Sequence, residues 1–171
     1  MFERSGCEPR VLQAGREHSL QQEGSSVRLL LTAEDTEGRF AIVETRERSG
    51  AEPPRHVHNR EDEVVVVLEG RVCFYVSGKL LDCPAGTCLY LPRGCEHSFT
   101  VESEEARLLV MVSPPGLEGY YRELSRVPDA ADATRADGMQ DIERLVTIAA
   151  RYGVSITGPA QVDADDHLPV Q

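Results

Sequence analysis

The sequence predicts a mainly β protein: a single antiparallel β-barrel of jelly-roll type, followed by two C-terminal helices. Three observations carry this expectation. Short β-branched and aromatic runs recur from residue 26 to residue 113, each bounded by Gly, Pro, Asp or Asn; no helical periodicity interrupts them; and past Pro114-Pro115-Gly116 the apolar spacing becomes helical. Many short strands joined by tight turns, without crossover helices, are the pattern of a closed or doubled antiparallel sheet. A chain of 171 residues with 40% hydrophobic content suffices for one domain with its own core.

Residues 1–25 are polar, with Gly and Ser clusters, and read as an arm with room for one edge strand; His18, without ligand-like neighbours, reads as solvent-exposed. SVRLLLT (26–32) and RFAIVETR (39–46) are antiparallel strands around the polar turn AEDTEG. Pro53 and Pro54 keep the next segment extended, which excludes a helical site for the histidines that follow. In EVVVVLEG, Val65 and Val67 share the face of Glu63, while Val64, Val66 and Leu68 make an equally apolar opposite face. That outer face calls for a cover: a helix, the other sheet or a second subunit.

Gly70 turns the chain into RVCFYVSG, where Val72, Phe74 and Val76 oppose Arg71, Cys73 and Tyr75. KLLDC, TCLYLP, HSFTV and EARLLVMVS (105–113) complete a barrel over residues 26–115. Residues 116–157 are expected as helices packed on that barrel: Leu117, Tyr120, Tyr121 and Leu124 form one stripe, and Ile142, Leu145, Val146 and Ala149 another, between Asp137 and Gly153. The acidic, aperiodic stretch 158–171 reads as a disordered tail, His167 included.

Four side chains stand out as ligands. His56 and His58, two apart in an extended segment, project from one face about 6.6 Å apart along the backbone. Glu63 opens the following strand, and the Pro92–Gly94 turn aims His97 back towards them. Phe99 and Val101 share the face of His97, so the expected pocket lining is Val65, Val67, Val72, Phe74, Phe99 and Val101.

The spacing G-x5-H-x-H-x4-E-x6-G from Gly50 to Gly70, then G-x5-P-x-G-x2-H from Gly86 to His97, resembles the two motifs of the cupin superfamily. Val101 stands where the second motif usually ends in Asn. Three His and one Glu at these positions resemble the small quercetin dioxygenase-like cupins, and SPPGLEGYYREL and ARYGVSITGP resemble segments of the same group. The resemblance implies a cupin barrel, a metal held by His56, His58, Glu63 and His97, and pairing into a homodimer.

Three imidazoles and a carboxylate form a mixed nitrogen and oxygen shell that suits one divalent Fe, Mn, Ni, Co, Cu or Zn ion and leaves coordination positions open. The expected activity is that of a metal-dependent dioxygenase on a small enolic or polyphenolic, quercetin-like substrate with O2, with Glu63 as ligand and proton acceptor. Two other readings stand beside it: a non-redox isomerase or lyase, and a metal- or ligand-binding module without turnover. A net charge of -11 without Lys or Arg clusters argues against nucleic acid and anionic membranes as partners. With no signal-like or membrane-length apolar run, the expected location is the cytoplasm. Cys7, Cys73, Cys83, Cys88 and Cys95, odd in number and without CxxC spacing, read as buried or half-buried thiols; oxidation at Cys95 would disturb the loop before His97.

Overall fold

The computed structural model describes residues 11, 19–22, 25–125 and 138–159. Its strands are β1 (Ser19–Gln22), β2 (Ser25–Leu31), β3 (Ala41–Arg48), β4 (Arg55–His58), β5 (Asp62–Glu69), β6 (Arg71–Val76), β7 (Lys79–Pro84), β8 (Cys88–Leu91), β9 (Glu96–Val101), β10 (Glu105–Ser113) and β11 (Val154–Gly158). Two helices, α1 (Leu117–Leu124) and α2 (Gly138–Arg151), lie between β10 and β11. The strands form a six-stranded sheet in the order β1-β2-β3-β10-β5-β8 and a five-stranded sheet in the order β11-β4-β9-β6-β7. Neighbours run antiparallel throughout, as the jelly-roll expectation requires.

Alternation places the core between the two sheets. On β5, Val65 and Val67 are 3% and 1% exposed, while Val64 and Val66 on the other face are only half-buried. They meet Val72 and Phe74 of β6, Leu108 and Val110 of β10, and Val43 of β3 in one apolar cluster. Leu68 is half-buried like Val64 and Val66, and the alternation ends after it, because Arg107 pairs with Glu69 and Leu108 with Val67, which leaves Leu68 as the extra residue of a bulge. The adjoining Gly70 has φ +81°, and a Cβ there would lie 2.4 Å from the carbonyl oxygen of Glu105, so no other residue fits this turn.

The helix α1 spans its expected stripe, with Leu117 3% exposed. Glu118, also buried, fixes it to the barrel: Oε1 accepts from the N–H of Ala33 at 3.0 Å and Oε2 from that of Gly116 at 2.8 Å. Among the described side chains of α2, Ile148 and Ala149 are buried and Leu145 half-buried, whereas Val146, expected on the packed face, is 41% exposed. Both 145-146-149 and 145-148-149 satisfy helical spacing, and the barrel selects the second.

The larger correction follows Gly153. Residues 154–157, expected to belong to the helical segment, and Gly158, expected to open the disordered tail, form β11, which pairs with β4 through Val154 with His58 and Ile156 with His56. The alternation Val-Ser-Ile-Thr after a glycine at φ +79° is a strand signal of ordinary strength. Cys88 is exposed rather than buried. The expectations for Cys7, His18, Asp137, His167, the side chain of Ile142 and residues 160–171 fall outside the described residues. Among the described residues, no helix is long and apolar enough to cross a membrane.

Candidate metal centre

The neighbouring strands β4 and β9 place His56 directly opposite His97, with ring centroids 4.4 Å apart. His58, on the same face of β4, has its ring 5.0 Å from that of His56 and 5.3 Å from that of His97. One nitrogen from each of the three lies within 4.8 Å of the others. Glu63 reaches them from the opposite sheet: its Oε2 is 3.7 Å from Nε2 of His58 and 3.1 Å from Nε2 of His97. The four expected ligands therefore meet at a seam between the sheets, three from one and one from the other.

Backbone carbonyls orient two of the rings. Nδ1 of His56 lies 2.7 Å from the Pro54 carbonyl and Nδ1 of His97 lies 3.0 Å from that of Cys95. A carbonyl only accepts, so each Nδ1 carries a proton and donates it, and Nε2 is left to face the centre. Cys95 thus serves His97 through its main chain. Nδ1 of His58 faces a side chain that sequence reasoning missed, Glu61, whose Oε2 is 3.7 Å away and whose residue is 2% exposed. Glutamate reads as a surface residue in any local pattern, and the chain that approaches Glu61 here is distant in sequence: a Cβ at Gly116 would come 3.6 Å from Glu61 Oε1.

Burial, then the positive fields of His97 and His58, push the His56 imidazole down to about 3, so it is neutral at physiological pH. Burial acts to raise the Glu63 carboxyl, but close His97 and the charges of His58, His97 and His56 outweigh it and bring the group down to about 2. The centre is thus built from imidazole nitrogens and an ionised carboxylate. Glu63 Oε2, although 3.1 Å from His97, is buried without an aligned hydrogen bond, as expected of donor atoms aimed at a common point between them rather than at one another. A divalent first-row ion fits this set, and among the described residues no cysteine joins the cluster to make a closed zinc site.

The four residues form one end of a cavity of about 240 Å³. Phe74 and Phe99, 5.4 Å apart, line it, as do Leu108 and Val110 of β10. Its roof is α1, through Leu117, Tyr120, Tyr121 and Leu124, with Leu145 of α2. Val65, Val67, Val72 and Val101, the other four expected lining residues, lie behind this surface in the core cluster and do not border the cavity. Val101 instead donates its N–H to Glu52 Oε1 at 2.9 Å. Burial lifts the phenol of Tyr120 to about 12 and that of Tyr121 well above its ordinary value, the latter with the help of the Glu63 and Glu47 charges. Both therefore present protonated hydroxyls.

Comparison with known proteins agrees with this architecture. Residues 43–112 match the cupin domain family. Quercetin 2,3-dioxygenase of Bacillus subtilis is 25% identical over 147 residues, 82% of this chain and 44% of that protein; an uncharacterised Streptomyces coelicolor protein is 38% identical over 55 residues, 32% of this chain and 52% of that one. The chain thus spans about half the length of the curated relatives it matches. Solved structures with the same fold include KdgF from Halomonas sp. (TM-score 0.54, 18% identity, 61% of this chain and 94% of that one) and ectoine synthase from P. lautus (TM-score 0.55, 20% identity, 63% and 77%). A third is the polyketide cyclase RemF from Streptomyces resistomycificus (TM-score 0.51, 23% identity, 61% and 80%). Two antiparallel sheets with a three-histidine cluster at their seam, a match of residues 43–112 to the cupin domain family and these shared folds show that the chain contains a cupin domain.

Proposed function

We propose that the protein is a metal-dependent dioxygenase acting on a small, uncharged enolic or polyphenolic substrate. The observation that carries this reading is the pairing of a three-nitrogen, one-carboxylate centre with an apolar cavity roofed by two tyrosines. The likeness to quercetin 2,3-dioxygenase supports it. His56, His58, His97 and Glu63 would hold a divalent ion, which when bound supplies open coordination positions and reactivity towards O2. Both oxygen atoms of O2 enter the product as a carbon–carbon bond breaks, so no outside reductant is needed.

The chain's own side chains do the remaining work. Phe74 and Phe99 flank the substrate's apolar body and keep water from it. Glu63, ionised and within reach of the cavity, accepts the proton of an enol or phenol and makes the substrate electron-rich. Tyr120 and Tyr121 donate hydrogen bonds to substrate oxygen.

The same two phenols favour a second, non-redox reading, in which Glu63 removes a proton and a tyrosine protonates a departing hydroxyl. One experiment separates the two: metal analysis of the purified protein, then quercetin and simpler enols and phenols offered with and without O2. Oxygen consumption matching substrate loss supports the dioxygenase. The same product formed without O2 overturns it in favour of the elimination or isomerisation.

A further inference from the structure

Away from the histidines, the cavity wall contains a buried carboxyl group that the metal chemistry does not use. Glu47 sits on β3, 6% exposed, with its side chain on the cavity surface. A buried carboxylate ordinarily finds a cation, and elsewhere on the same strand one does: Glu44, on the opposite face, meets Arg107 at 3.2 Å and Arg28 at 3.7 Å. Among the described residues, Glu47 meets the hydroxyls of Thr45 and Ser25 and no Lys or Arg. Among the described residues lining the cavity, none is Lys or Arg.

The neighbouring acid is not equivalent. Glu52 has both oxygens engaged, Oε1 by the N–H of Val101 and Oε2 by that of Gly50, each at 2.9 Å. Glu47 is therefore the acidic group of the wall still able to meet a ligand. Tyr121, in the roof, lies within electrostatic reach of both Glu63 and Glu47, so both carboxyl groups border one continuous space.

We propose that Glu47 orients the substrate and sets its class: its carboxyl accepts a hydrogen bond from a hydroxyl on the end of the substrate remote from the histidines, and it turns away molecules with a carboxylate or phosphate at that end. The inference rests on the reading of this cavity as the substrate site. Its physical ground is that a hydroxyl donor satisfies Glu47 where none of the described lining residues is a cation, whereas a second anion in that apolar wall meets repulsion from Glu47. Burial also pushes Glu47 up to about 7, against the hydroxyls of Thr45 and Ser25 and with some help from the Glu52 charge, so the group can meet a hydroxyl in either protonation state.

Three catechols that differ only at one ring substituent test this: 3,4-dihydroxybenzyl alcohol, 4-methylcatechol and 3,4-dihydroxybenzoate. Each is titrated calorimetrically into metal-loaded protein under anaerobic conditions at pH 8. We expect the alcohol to bind about tenfold more tightly than the methyl compound, and the benzoate at least tenfold more weakly, the size of one hydrogen bond to a charged group. In Glu47→Gln the spread should collapse to within about threefold while metal content stays at the wild-type level. Benzoate binding as tightly as the alcohol in the wild type, an unchanged ranking in Glu47→Gln, or no binding by any of the three overturns the proposal. The wild-type ranking suffices for this if the variant fails to fold. Because binding is read without turnover, absence of oxygen uptake counts against the dioxygenase reading alone.

Discussion

Replacing His56, His58 or His97 with Ala removes one of three convergent nitrogens, and each variant should lose most of its bound metal by elemental analysis. Glu63→Gln keeps an oxygen at the same place and should retain more metal than any of the three, yet lose turnover by 10²-fold or more if Glu63 is the base. Glu47 gives a stability test with a defined sign. Its proton affinity is raised on folding, from 4.5 to about 7, so its contribution is fully present below pH 4.5 and is lost as pH rises through 7. Glu47→Gln should therefore gain on wild type by on the order of 2 kcal/mol between pH 5 and pH 8, read as a widening difference in melting temperature. An equal difference at both pH values would show that Glu47 titrates normally. The convergence of His56, His58, Glu63 and His97 was legible in the sequence because extended spacing and a Pro-Gly turn act locally, so these candidate ligands could be placed without the fold. Glu61 and Glu47 were not, since what buries them lies far along the chain: Gly116 beside the first, and Ser25 and the helical roof around the second.

At the scale of elements, the roof and the ligand strand are joined through the α2–β11 segment. Val154 and Ile156 flank His58 and His56 in register, and the Asn59 side chain donates to the Gly153 carbonyl and to Ser155 Oγ, each at 2.8 Å. Ending the chain after Ser125 would thus remove both α2 and one of the two strands paired with β4. Such a protein should melt several degrees lower, bind a hydrophobic dye and lose metal affinity; unchanged metal affinity would mean that β9 alone holds β4 in shape. The α1–α2 joint has its own test. At Gly119 a Cβ would stand 2.5 Å from the Tyr152 ring, whose hydroxyl donates to Glu123 at 2.9 Å. Gly119→Ala should cost about 1–2 kcal/mol despite the roughly 1 kcal/mol that Ala gains in helix propensity. Periodicity revealed α1 and α2, but 154–157 were assigned to the same helical region although Val-Ser-Ile-Thr alternates as a strand does, because four residues of alternation are too few to outweigh the helical stripe before them until β4 is placed alongside.

For the molecule as a whole, the outer face of the six-stranded sheet is the surface to watch. Register aligns Ile42, Met111, Val64 and Tyr90 across four adjacent strands, with Tyr90 59% and Met111 36% exposed. That row extends the apolar outer face expected from Val64 and Val66, and we expect it to pair two copies of the chain. Sedimentation should give a dimer that Val64→Glu converts to monomer; a wild-type monomer of 18.9 kDa at micromolar concentration would refute this. The pairing of β11 with β4 also orders events in time. Asn59 and Ser155 are 96 residues apart in sequence. At ribosomal speeds of about 5–20 residues per second, the histidine strand waits roughly 5 to 20 s between its own emergence and that of its neighbour. For that interval β4 has an open edge, free to pair with another nascent chain. The last strand to join the five-stranded sheet is therefore also what ends the exposure of the ligand strand in a newborn chain.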